Sequence, residues 1–279
     1  MEKTNVVFIP NGGLANRMRA MASAYTLAKN IDCQIHAVWF RDWTLNAAFH
    51  SIFEPISTEA IDVREANIWD KIVNERPRRK NLHIFLLPQK LFYRRRIYEA
   101  QVTPLKRSNF DFESWAKGHR CYFSSYQDFG TLDDSVYNKL FHPVKEVVNK
   151  VKTNTDKFSS HTIGMHIRRT DNSVSIAESP TKLFFQFADH ELEKHNDTKI
   201  FLATDSEDVK SELIDRYGER IITSPSEADR NSTEGIRDGL ADMYTLSKTI
   251  RIYGSAGSSF SPMAAKIGGN ELKKNKKKH

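Results

Sequence analysis

Cysteine is scarce in this chain: only Cys33 and Cys121 occur in 279 residues. Neither belongs to a CxxC pair or a Cys/His cluster, which excludes a disulfide framework and a thiolate zinc site. Both read as buried free thiols. Long apolar runs are also missing. No stretch approaches the ~18–20 residues that a membrane-crossing helix needs. The first apolar run, Val6–Pro10, is too short for a signal peptide and reads as a buried strand. These absences lead us to expect a cytoplasmic protein. No internal repeat of solenoid period is present. What the chain does have is 39% hydrophobic and 28% charged residues, which fits a folded protein and excludes wholesale disorder. Its net charge of +7 gathers in Arg76–Lys80, Arg94–Arg96, Lys106–Arg107 and the lysines at 273, 274 and 276–278. Such runs are usually solvated faces. The functional alternative is attraction to an anionic nucleotide, membrane surface or nucleic acid.

Val6–Pro10 runs into Asn11-Gly12-Gly13 and then a helical pattern from Ala15 to about Lys29. A second strand follows at Asp32–Phe40, which makes a βαβ unit. Residues 41–107 are less regular, and Phe85–Tyr93 fits either a strand or a short helix. Gly118–Phe129 reads as a strand. The second half alternates cleanly: strands at 162–167, 199–204, 220–223 and 249–254, helices at 144–155, 183–194, 206–217, 235–248 and 261–267. Such alternation predicts a doubly wound α/β fold. We expect an N-terminal α/β half over 1–140 and a second over 141–270, facing across a ligand cleft. Residues 271–279 read as a basic disordered tail.

The strongest local feature is His166-Ile167-Arg168-Arg169-Thr170-Asp171, at the C-terminal end of a strand. Ligands of open parallel sheets sit beyond those ends. Arginine offers a planar fork that matches a phosphate bidentately, and adjacent arginines point different ways, so one reaches a ligand while the other braces the loop. His166 is able to bond a base or phosphate, and Asp171 to orient an arginine. The bland reading is a surface strand end with an internal ion pair.

This run resembles the His-x-Arg-Arg-x-Asp hallmark of the fucosyltransferases that form α1,6 and α1,2 linkages and of the protein O-fucosyltransferases. IGMHIRRTD is most similar to the core α1,6 enzymes and their bacterial nodulation relatives. KIFLATDS and the block from Leu240 through IRIYGSAGSSFSPMAAKI resemble two further family segments, in the same order. The resemblance covers most of 160–269. It implies a GT-B fold of two Rossmann-like halves and inverting transfer of fucose, with GDP-fucose as co-substrate and no metal or other cofactor. It implies Arg168 on the β-phosphate, His166 at the nucleotide, Asp242 on guanine, and Ser258 and Ser259 at the diphosphate. Arg169 and Asp171 complete that motif. A helix opening after Gly257-Ser258-Ser259 would favour an anion through its N–H groups. Gly12-Gly13-Leu14-Ala15-Asn16-Arg17 resembles the family's Gly-x-x-Asn turn, which implies that Gly13, Asn16 and Arg17 face the donor. It is neither GxGxxG nor a P-loop.

The chain departs from the family after Asp171. Asn172 stands where the α1,6 enzymes carry a lysine, and Ile176 where they carry a glutamate. Glu178, two residues on, is our candidate base. No DxD motif stands at a strand end. Rival readings are a GT-B transferase that uses another nucleotide sugar and a non-catalytic nucleotide- or glycan-binding homologue. Nucleic acid is not expected as a partner, because the basic runs lack interleaved aromatics. The expected partners are a GDP-sugar and a glycan or lipid-linked glycan acceptor. The basic segments would support peripheral membrane contact.

Overall fold

A computed structural model describes residues 3–76, 86–170, 172–225, 229 and 231–275. Asp171, Pro77–Lys80 and Lys276, Lys277 and Lys278 lie outside the described residues. The chain divides into two units, 1–142 and 143–279, each built on its own sheet.

Unit 1 contains β1 (Asn5–Pro10), α1 (Leu14–Asn30), β2 (Ile35–Trp39), β3 (Ile61–Glu65), α2 (Ile68–Val73) and α3 (Leu86–Phe92). It continues with β4 (Arg95–Ile97), α4 (Glu99–Arg107), α5 (Phe112–Ala116), β5 (Arg120–Ser125) and α6 (Ser135–Leu140). The strand order is β3-β2-β1-β5-β4, and every pair is parallel. Parallel strands need crossovers, and α1 supplies the first. Within the ambiguous Phe85–Tyr93 stretch, Leu86–Phe92 forms helix α3, and Phe85 lies outside the described residues. Cys121 is buried as expected, whereas Cys33, in the loop after α1, is only half-buried. Burial still pushes its thiol up to about 11, so it stays protonated at neutral pH.

Unit 2 contains α7 (Lys145–Thr155), β6 (Thr162–Ile167), α8 (Ser173–Glu178), α9 (Thr181–Lys194), β7 (Lys199–Thr204) and α10 (Glu207–Tyr217). Then come β8 (Ile221–Thr223), α11 (Thr233–Leu246), β9 (Arg251–Ser255), α12 (Phe260–Gly268) and β10 (Glu271–Asn275). The order is β10-β9-β6-β7-β8, again all parallel. Strand β6 is central and buried at every residue, as a strand covered on both faces must be. Its Ile163, Met165 and Ile167 pack with Phe184, Ile200, Leu202 and Tyr253.

The expected disordered tail begins instead with a strand. Gly269, at φ 69°, ends α12 in the left-handed conformation, and the chain turns back to pair β10 with β9. Arg251 Nε bonds Glu271 Oε2 across that pair at 2.6 Å. Charged residues guard a sheet edge against further pairing. The composition that reads as a tail is therefore also that of an edge strand.

Candidate active site

The ends of β6 and β7 are in register, with Ile167 opposite Thr204. The first loop residues after each strand therefore stand side by side. Asp205 faces Arg168, and its Oδ2 lies 3.0 Å from Arg168 Nη1. Asp205 Oδ1 accepts the Arg169 N–H at 2.7 Å, and Oδ2 accepts the Thr170 hydroxyl at 2.6 Å. Burial pushes this carboxyl up, but the Thr170 hydroxyl, the Arg168 charge and the two loop amides outweigh it. The result is a carboxyl held below its usual range and ionised at neutral pH. Asp205 thus organises the whole His-x-Arg-Arg-Thr turn. Sequence reading gave it no role, although two adjacent strands ending in HIRRT and ATD carried the signal.

The two arginines divide their work. Arg169 donates through Nη1 to the Arg168 carbonyl at 2.8 Å and through Nη2 to the Ser179 carbonyl at 2.6 Å. Its Nε and Nη2 both reach Thr181 Oγ1 at 3.2 Å. Arg169, expected among the donor-binding residues, is thus the brace, because its fork is committed to the loop before α9. Arg168 is aimed by Asp205 on one side, and its N–H donates to Ser255 Oγ at 3.1 Å.

His166 is 6% exposed, and its ring stacks on Phe260 at 4.8 Å. Burial and the Arg168 charge lower it to about 4, so it is neutral at physiological pH. Its Nδ1 is buried without a protein partner. Ser255 Oγ donates to the His166 carbonyl at 3.3 Å, which ties β6 to the turn between β9 and α12. In that turn Gly257 has φ 72°, and a Cβ there would lie 2.9 Å from Val174 Cγ1. Only glycine suits both demands. Ser258 Oγ accepts the Phe260 N–H at 3.2 Å, which leaves its own hydrogen to donate. Ser259 is the N-cap of α12 but makes no side-chain cap bond.

The departing segment after Asp171 has a structural purpose. Asn172 caps α8 by accepting the Ser175 N–H at 3.1 Å, and its Nδ2 donates to the Gly257 carbonyl at 3.1 Å. Ser175 Oγ donates to the Ala256 carbonyl at 2.6 Å, and the Ala256 N–H donates to Ser179 Oγ at 2.9 Å. Three polar side chains thereby clamp the serine turn. Glu178 is the last residue of α8 and partly exposed.

Asp242 lies on α11, where its Oδ1 accepts the Ser224 hydroxyl at 2.5 Å. Burial of the carboxyl, reinforced by Asp238 and opposed by Ser224, Lys210 and Lys150, pushes it up to about 7.

In unit 1, Gly12 has φ 79°, and Gly13 is the N-cap of α1. Asn16 Oδ1 is buried without a partner. Arg17, expected to face a donor, is 0% exposed and points inward. Its Nε donates to the Gly12 carbonyl at 2.8 Å and its Nη1 to the Phe40 carbonyl at 2.6 Å. Its Nη2 pairs with Asp42 at 3.1 Å. Helix geometry explains the difference: neighbours are about 100° apart, so Asn16 and Arg17 cannot share a face. Arg76, read as part of a solvated run, has a side chain only 11% exposed and bonds Glu99 at 2.7 Å. Arg95 and Arg96 donate to backbone carbonyls, and Lys106 pairs with Asp128. Much of the positive charge offered to an anionic partner is therefore spent inside the unit.

No family model matches the sequence, and no curated protein matches it. Solved structures do match. Fucosyltransferase NodZ from Bradyrhizobium covers 95% of this chain and 93% of its own, at 16% identity and a TM-score of 0.66. The NodZ α1,6-fucosyltransferase soaked with GDP-fucose gives 16% identity and 0.62 over the same shares. A mutant FUT1 from Arabidopsis thaliana in complex with GDP covers 98% of this chain and 70% of its own, at 14% identity and 0.60. The chain has the GT-B-like fold of these fucosyltransferases. In that fold, the His166–Arg168 strand end and the Ser258–Ser259 turn belong to one sheet, on the paired strands β6 and β9. No described helix is long and apolar enough to cross a membrane, and no described cluster of His, Cys, Asp and Glu would hold a metal.

Proposed function

We propose that this chain is an inverting glycosyltransferase that moves fucose from GDP-fucose to a glycan hydroxyl. The observation that carries the reading is the meeting of Arg168 with the Ser255–Ser259 turn, at the end of the central strand. Asp205 on one side and α8 on the other preset the two. The similar structures include one in complex with GDP and one soaked with GDP-fucose, which supports the choice of donor.

In this reading Arg168 takes the β-phosphate, and Ser258 and Ser259 donate to the diphosphate. Asp242 accepts from the guanine N1–H and amino group, and His166 contributes its unpartnered Nδ1 at the nucleotide. The acceptor hydroxyl attacks the anomeric carbon as the bond to GDP breaks. Charge grows on the leaving phosphate, where preorganised donors are typically worth about 3–4 kcal/mol each. Glu178 takes the acceptor proton. Arginine rather than a metal neutralises the leaving group, so chelator leaves turnover unchanged. The acceptor is a glycan or lipid-linked glycan, reached in the cytoplasm.

Titration with GDP, UDP and ADP tests the donor site by thermal shift. GDP stabilises the wild type most, and Arg168→Ala weakens GDP and lowers turnover by about 10²–10³-fold. Equal binding by Arg168→Ala sinks the assignment. For the base, Glu178→Gln abolishes transfer while GDP binding persists; retained turnover removes Glu178 from the mechanism.

A further inference from the structure

Helices α2 and α3 are built inside out. Half of the large exposed hydrophobic side chains among the described residues lie on these two short helices. On α2, Ile68 is 73% and Trp69 70% exposed, and Ile72 joins them one turn on. On α3, Leu91 is 85% and Leu87 67% exposed, with Phe92 beside them. At about 100° per residue, Ile68 and Ile72, like Leu87 and Leu91, fall on one face. Each helix turns a polar residue inward, and α2 adds Val73, which packs against the apolar cluster of Ile9, Tyr93 and Tyr122. Asp70 is 2% exposed and is gripped by Arg64 at 2.5 and 2.7 Å, and Asn74 donates to it at 2.7 Å. Gln89 is 0% exposed, and its Nε2 donates to the Glu75 carbonyl at 2.9 Å, which fastens the end of α2 to α3. The inward bonds of Asp70 and of Gln89 Nε2 hold each helix with its large apolar side chains outward, although Gln89 Oε1 is buried without a partner.

Charge marks what the face suits. Lys71 sits three residues after Ile68, and Lys90 three after Leu87, so each helix carries an exposed lysine at the edge of its apolar face. The only carboxylate on either helix, Asp70, is turned inward and paired. Aliphatic side chains, an indole and a phenyl ring bordered by cations, with no exposed carboxylate on either helix, match the boundary of an anionic bilayer.

We propose that this chain docks peripherally on anionic lipid bilayers through the joined α2–α3 face. Trp69, Ile72 and Leu91 enter the headgroup boundary, and Lys71 and Lys90 meet lipid phosphates. The proposal concerns unit 1 alone and does not depend on which sugar nucleotide unit 2 takes.

Sedimentation of the full chain with vesicles tests it. The vesicles are phosphatidylcholine alone, or phosphatidylcholine with a third replaced by phosphatidylglycerol. The wild type pellets with the anionic vesicles, less with neutral ones, and less at high salt. Trp69→Ser with Leu91→Ser lowers the bound fraction by about tenfold or more. Lys71→Glu with Lys90→Glu removes the preference for anionic lipid. Both pairs keep the wild-type melting temperature and the wild-type response to GDP, so failure of docking and failure of the donor site are read separately. The proposal is overturned by absent vesicle binding at low salt, or by binding that neither pair reduces. It is equally overturned if the wild type forms a dimer that Trp69→Ser with Leu91→Ser abolishes, without vesicle binding, because the face then covers a second copy.

Discussion

Two neighbouring arginines at a strand end show how much function depends on direction. Arg168 and Arg169 are chemically identical, yet one is aimed by a carboxylate and the other is consumed by the carbonyls of Arg168 and Ser179. The motif was legible in the sequence, and the resemblance pointed to Arg168 for the β-phosphate; the carboxylate that orients Arg168 and the Ser179 carbonyl that holds Arg169 were not, because they come from other elements. Arg17 departs from its expected place because the helical step of about 100° turns it away from Asn16, toward partners at Phe40 and Asp42 that come from a distant loop. Asp242 leads to a prediction at this scale. Its carboxyl sits at about 7 in the free protein, and in the proposed role guanine needs the ionised acceptor. GDP should therefore bind about tenfold more weakly at pH 6 than at pH 8, as calorimetric titration at the two pH values will show. In Asp242→Asn that part of the difference disappears, and what remains belongs to the phosphate itself.

The elements were more legible than their roles. Helix and strand periodicity located the second sheet to within a few residues, because buried parallel strands leave continuous apolar runs. Strand β10 escaped, since lysine-flanked residues at an edge resemble a solvated tail. Helix α8 escaped as well: six residues of mixed polarity carry no period, and their purpose is a set of hydrogen bonds to a turn some eighty residues away. That clamp makes the Gly257 turn sensitive. Gly257→Ala forces a left-handed alanine against Val174 and should destabilise the protein by roughly 1–3 kcal/mol in urea unfolding. Its GDP affinity should fall with it, whereas Gly130→Ala, in open space but with a similar φ, costs only the backbone strain and leaves GDP affinity unchanged.

Across the whole molecule, two carboxyls, buried Glu191 and half-buried Asp242, give stability opposite dependences on pH. Burial acts against ionised Glu191, but bonds from Tyr253, His161 and Arg251 outweigh it and lower it to about 2. Its contribution is full above its ordinary value near 4.5 and fades as pH falls toward 2. Asp242 is raised, so its contribution is full below about 3.8 and is lost as pH rises through about 7. Urea unfolding from pH 3 to pH 8 should show Glu191→Gln flattening the acid limb and Asp242→Asn the neutral one. A reversed assignment of the limbs would refute the geometry behind both. The pairing of Ile167 with Thr204 has a further consequence for anyone handling the protein. A slip of β7 against β6 by even one residue separates Asp205 from Arg168 and dismantles the proposed phosphate grip, while leaving much of the secondary structure in place. Retention on an immobilised GDP resin would then sort correctly aligned molecules from soluble misfolded ones, a quality check that circular dichroism does not provide.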